Sequence, residues 1–275
     1  MYKIRKDMVS TDDPEMNGPW YASWFDSPYY EILYSDRNED EAEAFLHRLL
    51  KVLDPPRGSI MLDLACGKGR YTRFLASKGY YVVGTDLSAN NIRSARKYEN
   101  DHLSFFQHDM RMPFRVNYFD YIFNFFTSFG YFEDEEDNLE VLSHVHKGLK
   151  KGGIFVLDYL NAAWVRKNLV PSNTKVVKGI SFQLDRHIEN DFVVKKIHFS
   201  VDGRNFTFQE RVKLFTKGEI EKMLHDSGLI VKKLYGNYEL APYIEGDSDR
   251  LIFIAEKTDR FGDDYWVGRT DILLD

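Results

Sequence analysis

The chain has 275 residues, a net charge of −6, 43% hydrophobic and 29% charged residues, and a single cysteine, Cys66. A length of this order buries roughly 70–75% of the unfolded surface without staples. The acidic balance disfavours broad contact with a nucleic-acid backbone, and one cysteine excludes an internal disulfide framework and suits a reducing cytosol. No apolar run reaches the roughly eighteen residues that a membrane helix needs. Met1-Tyr-Lys-Ile-Arg-Lys lacks the apolar core of a secretion signal, so a cytoplasmic protein without membrane contact is expected.

In chain order, residues 1–19 are polar and read as a loose arm, and Trp20 to Tyr34 follow with seven aromatics in fifteen residues. Glu39 to Leu53 has helical spacing of apolar residues, and Pro55-Pro56-Arg57-Gly58 ends it. Strand and helix patterns then alternate. Ile60–Leu64 is a strand, Tyr71 to Gly79 a helix, and Tyr81–Asp86 a strand. Ser88 caps a helix to about Lys97, and Leu103–Phe106 and Tyr118–Phe126 are strands. Asp134–Leu149 is helical, and Gly152-Gly153 opens a strand over Ile154–Leu157. That alternation predicts an α/β fold with a doubly wound, mostly parallel sheet. Past Ala163 the rhythm changes: Lys175–Leu184, Phe192–Val201 and Phe206–Phe215 read as strands with no helix between them, and Asp202-Gly203 is a hairpin signal. A helix (Lys217–His225) and two strands (Leu229–Tyr235, Leu251–Ala255) restore the pattern. The expected organisation is an arm and aromatic lid (1–38), a core (39–163 and 216–257), an antiparallel insert (164–215) and a charged tail (258–275).

The segment Asp63-Leu-Ala-Cys-Gly67-Lys-Gly69 carries the most chemistry. A buried strand runs into a glycine turn and a helix N-terminus, a site for the polar part of a nucleotide-like ligand. Asp86, nineteen positions after Gly67, ends the second strand where a ribose diol would be held. The dinucleotide fingerprint asks for a third glycine, and Thr72 occupies that position, which counts against a nicotinamide cofactor.

With Asp86, this segment resembles motif I and the second-strand acid of class I S-adenosylmethionine-dependent methyltransferases, and the likeness extends over Tyr29 to Lys257. The resemblance implies a seven-stranded Rossmann-like sheet and S-adenosylmethionine as cofactor. It implies that Asp63, Ala65, Gly67 and Gly69 surround the methionine end and that Asp86, with Leu87 beside it, takes the ribose. Asp109 would accept from the adenine amino group, Met110 would offer its backbone N–H, and Asn124 and Phe125 would complete the cofactor pocket. Asn124 to Phe132 is similar to the Ser-x-Gly-aromatic loop of small-molecule methyltransferases, including aminosugar N-methyltransferases, which places Ser128 at the acceptor and makes Tyr131 the candidate to orient it or relay a proton. An aromatic plug is the other reading of Tyr131. Tyr29, Tyr30, Tyr34 and Arg37 are spaced like the N-terminal lid of glycine N-methyltransferase-like enzymes, with the arginine on the cofactor carboxylate and the rings suited to a cation. Aromatic packing of a helix on a sheet edge is equally compatible with them.

Glu210 falls in the apolar row Phe206, Phe208, Val212 and Leu214 by strand parity. It is expected either to contact substrate, with a role as base, or to pair with an inward-turned arginine such as Arg186. Residues 164–215 hold ten Lys/Arg against five Asp/Glu, whereas the rest of the chain holds 27 against 38. A basic lid suits an anionic small-molecule acceptor, and a lysine-protected sheet edge explains the same charges. His144 and His146 point in different directions on a helix, and no metal site is expected. An RNA or protein methyltransferase and a non-catalytic S-adenosylmethionine-binding module are the competing functions. N versus O transfer and the oligomeric state are left open.

Overall fold

The computed structural model describes residues 19–35 and 39–258. Its elements in chain order begin with α1 (Trp20–Phe25), α2 (Pro28–Leu33), α3 (Glu39–Leu53), β1 (Ile60–Leu64), α4 (Arg70–Ser77), β2 (Tyr81–Asp86) and α5 (Ala89–Ala95). They continue with β3 (Leu103–Gln107), β4 (Phe119–Asn124), α6 (Glu135–Gly148), β5 (Leu149–Leu160) and α7 (Ala162–Asn168). Last come β6 (Ser172–Val177), β7 (Ile180–Glu189), β8 (Phe192–Val201), β9 (Arg204–Lys213), α8 (Lys217–Asp226), β10 (Leu229–Tyr235) and β11 (Arg250–Lys257). The chain divides into two compact units at 37/38, 168/169 and 211/212, which groups the N-terminal aromatic segment with the insert strands.

The larger unit is built on a seven-stranded sheet ordered β10-β11-β5-β4-β1-β2-β3. β1 pairs in parallel with both β2 and β4, β2 with β3 and β4 with β5, while β11 runs antiparallel to β5 and to β10. Strands covered on both faces need apolar residues at consecutive positions, and β1, β4 and β11 are buried almost throughout. Phe45, Leu46 and Leu49 of α3 share one core with Met61, Leu75, Phe105, Phe123 and Ile254. β5 starts five residues earlier than the glycine pair suggested. Between Phe119↔Leu149 and Tyr121↔Ile154 the chain advances two residues on β4 and five on β5, and Gly152 supplies the positive φ of 72° that this bulge requires. No helix among the described residues is long and apolar enough to cross a membrane.

The smaller unit carries an antiparallel sheet ordered β6-β7-β8-β9. The expected single strand over Lys175–Leu184 is two strands. Lys178 and Gly179, at φ 49° and 81°, make a tight hairpin turn there, as Asp202 and Gly203 do between β8 and β9. The aromatic segment forms α1 and α2. Tyr29 is buried, with its ring centroid 4.7 Å from Phe199 and 4.9 Å from Phe206, and Trp24 lies 4.7 Å from Phe208. Tyr30 meets Trp24 edge to face. Within this unit the packing reading of Tyr29 and Tyr30 accounts for their geometry, whereas Arg37 lies outside the described residues.

Glu210 pairs with Lys195, not Arg186. Its carboxylate accepts from Lys195 Nζ at 2.5 Å, Tyr34 Oη at 2.5 Å and Trp24 Nε1 at 2.8 Å, and Lys195 also donates to the Tyr34 hydroxyl. Strand order gives the reason. β8, which carries Lys195, is the neighbour of β9, while Arg186 on β7 is one strand too far and turns to Asn173 Oδ1 at 2.6 Å. Burial by itself would raise the Glu210 carboxyl, but the Lys195 charge and the three hydrogen bonds outweigh it and hold the group below its ordinary value. Glu210→Leu removes the carboxylate that balances the Lys195 charge in a largely buried position and should cost about 3 kcal/mol. Adding Lys195→Met should recover most of that loss in thermal unfolding of the full chain, and equal losses in the single and double variants would contradict the pairing.

Candidate active site

Strand order reverses between β1 and β4: β1 leads to β2 and β3 on one side, β4 to β5 on the other. The loops leaving the carboxyl ends of β1 and β4 therefore diverge and open a crevice, the place where open α/β sheets hold ligands. The loop after β1 turns left-handed at Ala65 (φ 64°), Gly67 (56°) and Gly69 (74°) before α4 begins. The Cys66 N–H donates to Thr85 O and the Gly69 N–H to Cys66 O, which ties the turn to β2. The two glycines serve different ends. A Cβ on Gly69 would stand 2.2 Å from the Phe105 ring, whereas one on Gly67 would meet nothing within 4 Å. Gly69 lets the loop pack on β3, and Gly67 keeps its outer side open.

The two acids also part company. Asp86 is half-buried at the tip of β2, where Oδ2 accepts from the Gly67 N–H at 2.8 Å and Oδ1 from the Ser88 N–H at 2.9 Å. Leu87 beside it is exposed. Asp63 is 2% exposed and takes a 2.6 Å hydrogen bond from the hydroxyl of Thr72, itself fully buried. Burial first, then the neighbouring Asp86 charge, push the Asp63 carboxyl up to about 7, against the pull of Thr72. Asp63 is thus a support beneath the loop, and Thr72, in place of the third glycine, is its hydrogen-bond donor.

After β3, both oxygens of Asp109 are engaged by Arg111, through Nη2 at 2.7 Å and Nε at 3.2 Å, and Arg111 also reaches Asp137 at 3.1 Å. Burial would raise Asp109, but the hydrogen bonds and charge of Arg111 prevail and hold it low. The aspartate expected at the adenine amino group is thus held in an ion pair, with half-buried Met110 between its two members. Arg111 was missed because its pairing is a local side-chain choice that no periodicity reveals.

At the end of β4, Asn124 is 1% exposed and donates from Nδ2 to Leu64 O at 3.1 Å, bridging the two strands that flank the crevice. Its buried Oδ1 has no hydrogen-bond partner among the described residues, an acceptor left for a donor at the switch point. Phe125 packs into the core, 4% exposed and stacked on Phe123. The ring nearer the surface is Phe126, which stacks on Tyr71 at 4.7 Å and packs on Tyr238 at 5.5 Å. Ser128 closes the turn by donating to Phe125 O at 3.0 Å, and the Tyr131 hydroxyl donates to Thr127 O at 2.5 Å.

Among known proteins, a methyltransferase domain family matches residues 61–153, from β1 through the glycine pair of β5. The chain is 27% identical over 239 residues to the dTDP-3-amino-3,4,6-trideoxy-alpha-D-glucopyranose N,N-dimethyltransferase of Streptomyces venezuelae, covering 82% of this chain and 95% of that one. The chain is an S-adenosylmethionine-dependent methyltransferase, similar to the aminosugar N-methyltransferases. Its fold is shared with a solved S-adenosylmethionine-dependent methyltransferase of Clostridium acetobutylicum, at TM-score 0.71 and 20% identity over 84% of this chain and 96% of that one. It is shared too with the S-adenosylmethionine-bound amino pentose methyltransferase of Micromonospora echinaspora, at TM-score 0.66 and 19% identity over 84% and 98%.

The methyltransferase's own residues fit its cofactor. The open face of Gly67 admits close backbone approach, and the carboxylate of Asp86 stands at the end of β2. The orphaned Asn124 Oδ1 between β1 and β4 asks for a donor of the kind an ammonium group offers.

Two consequences are measurable. An alanine at either glycine carries the left-handed penalty of about 1–2 kcal/mol, and at Gly69 the collision with Phe105 adds about 1–3 kcal/mol more. Gly69→Ala should therefore lose clearly more stability in denaturant unfolding than Gly67→Ala, and equal losses would contradict the division of roles. The raised Asp63 carboxyl sets a pH dependence. Between the unfolded value of 3.8 and the folded value of about 7, the folded protein keeps a proton that the unfolded chain releases. Stability from this group is thus complete below the lower value and is lost as pH rises to the upper one, by about 4 kcal/mol at most. Asp63→Asn should flatten that part of the stability–pH curve relative to wild type, and parallel curves would show that Asp63 titrates normally.

Proposed function

We propose that the methyltransferase N-methylates a small, anionic amine acceptor, with nucleotide-linked amino sugars as the first class to test, and that it works in the cytoplasm. The observation that carries this reading is the likeness to the Streptomyces venezuelae dTDP-amino sugar dimethyltransferase along 82% of the chain. The surplus of ten basic over five acidic residues in 164–215 agrees with an acceptor bearing a diphosphate. We assign acceptor recognition to that insert for the same reason.

When bound, S-adenosylmethionine supplies a methyl group on a sulfonium, already activated and with a good leaving group. The chain's task is alignment and exclusion of water, which can be worth roughly 7–11 kcal/mol. In this reading Gly67 and Gly69 cradle the methionine end with Ala65, Asp86 and Leu87 hold the ribose, and Asp109 and Met110 border the adenine. Asn124 Oδ1 accepts from the cofactor's ammonium. Tyr131 orients the acceptor amine: a phenol that donates to a backbone carbonyl, as Tyr131 does to Thr127 O, acts toward a ligand as an acceptor. Ser128 shapes the turn that carries it. Glu210 is given no role as base, because Lys195, Tyr34 and Trp24 already donate to its carboxylate and hold it ionised. Tyr34 shares that network, and Tyr29 and Tyr30 support the unit that bears it.

Calorimetric titration with S-adenosylmethionine, followed by transfer of labelled methyl to dTDP-3-amino sugars, neutral amino sugars and RNA, tests the proposal. Asp86→Ala should weaken cofactor binding by about 10–100-fold, the range for hydrogen bonds to a charged group. Label should enter the nucleotide-linked amino sugars in preference to their neutral counterparts. Label in RNA, or a preference for the neutral sugars, would overturn the acceptor assignment.

A further inference from the structure

The residues that follow β4 adopt a conformation that their side chains disfavour. Phe126 and Thr127 are consecutive and both left-handed, at φ 57° and 59°, though one is aromatic and the other β-branched. Such a turn persists only where its surroundings over-determine it, and such strain gathers at functional sites. Here the surroundings are a buried ion pair. Asp158, near the end of β5, is fully buried in the stretch Ile154–Leu160, otherwise apolar but for the Tyr159 hydroxyl, and its Oδ2 accepts from the Phe126 N–H at 2.8 Å while its carbonyl accepts from the Thr127 N–H at 3.0 Å. Arg250, at the start of β11, donates to Asp158 Oδ1 from Nε at 2.8 Å and from Nη2 at 2.6 Å. The same Nη2 donates to the Thr127 hydroxyl at 2.9 Å. Tyr238 adds a hydrogen bond to Asp158 Oδ2 at 3.2 Å and packs its ring against Phe126. The carboxylate and the backbone carbonyl of Asp158, with one guanidinium, thus serve both backbone N–H groups and the hydroxyl of the turn, and the next link outward is Tyr131 on Thr127 O.

We propose that Asp158 and Arg250 are positioning residues for methyl transfer. They lock the left-handed turn at Phe126–Thr127 and so fix Tyr131 and the Phe126 ring at the mouth of the β1/β4 crevice, without touching the reacting atoms themselves. The kinetic part of this inference rests on the acceptor reading above; the structural part does not. Asp158 and Arg250 are 92 residues apart in sequence, and the ion pair joins the central strand β5 to the antiparallel strand β11. The antiparallel strand of the sheet thereby reaches the acceptor loop.

The experiment uses the full chain with Arg250→Lys, Thr127→Val and Thr127→Ser. Lysine keeps the charge but cannot reach Asp158 and Thr127 together through a planar fork. Valine keeps the shape of threonine and loses the hydroxyl, and serine restores the hydroxyl. Hydrogen exchange at the Phe126 and Thr127 amides is read first and needs no acceptor. Exchange should quicken at least about tenfold in Arg250→Lys, with the Cys66–Gly69 amides unchanged. S-adenosylmethionine affinity by calorimetry should stay within about threefold of wild type in every variant. With dTDP-3-amino sugar as acceptor, kcat should fall at least about tenfold in Arg250→Lys and Thr127→Val while both KM values hold, and Thr127→Ser should recover most of it. Unchanged exchange in Arg250→Lys, a Thr127→Val kcat equal to wild type, or losses that merely follow the fraction of folded protein would each overturn the positioning role. Absence of turnover on amino sugars in the wild type would count against the acceptor alone, because the exchange measurement still decides whether the ion pair locks the turn.

Discussion

The reversal of strand order between β1 and β4 is the constraint from which the site follows. Two adjacent parallel strands send their chains to opposite sides of the sheet, so their carboxyl ends cannot be roofed by a common loop, and a crevice results. What fills the floor of that crevice is then decided by packing. The Gly69 backbone lies so near the Phe105 ring that no side chain fits, which draws α4 onto β3 and leaves the Gly67 side of the turn outward. Asn124 closes the gap between the two strands by bonding Leu64 O, at the expense of a buried acceptor with no partner among the described residues. A crevice with an unsatisfied acceptor and an open glycine is poorly suited to standing empty, and in that sense the ligand belongs to the fold.

Most of the architecture was readable because it is written in short-range patterns. Helix α3 and strands β1, β2, β8 and β10 stand where periodicity and turn residues place them. The misreadings share a cause: each depends on what lies opposite. A lysine and a glycine inside an apolar-alternating run do not announce a hairpin until β6 and β7 are seen to pair across Lys178–Gly179. The early start of β5 depends on where β4 needs a partner, and only the register shift reveals it.

The same division runs through the candidate site. The glycine loop and Asp86 were legible because the 24 residues from Asp63 to Asp86 contain the whole motif and because a strand, a turn and a helix allow few alternatives. Glu210 was rightly placed in an apolar row by parity, yet its partner was not, since Arg186 and Lys195 lie opposite each other and only the order of strands decides between them. Phe125 and Phe126 could not be told apart from the sequence. Which of two adjacent phenylalanines enters the core depends on the left-handed turn, and that turn depends on residues 32 and more positions away. Thr72, first taken only as evidence against a dinucleotide, proved to have a task of its own under Asp63.

Three carboxylates in the described structure are withdrawn from water, and each is accommodated differently. Asp158 is fully buried, and a guanidinium with one backbone N–H group and a phenol matches its charge at fixed geometry, which suits a group that must hold a turn still. Glu210 has an ammonium and two neutral donors, tying two helices to a sheet. Asp63 accepts from the neutral Thr72 hydroxyl and resolves the cost by holding its proton to about pH 7. Removing one partner from either of the first two strands a charge, so both are rigid by construction. Asp63 can change its charge within the physiological range, and it lies directly beneath the glycine turn with Asp86 close enough to influence it. A ligand that draws Asp86 into hydrogen bonds of its own alters the field on Asp63, so proton uptake by the floor of the site and occupancy of its rim are coupled through a single carboxylate pair.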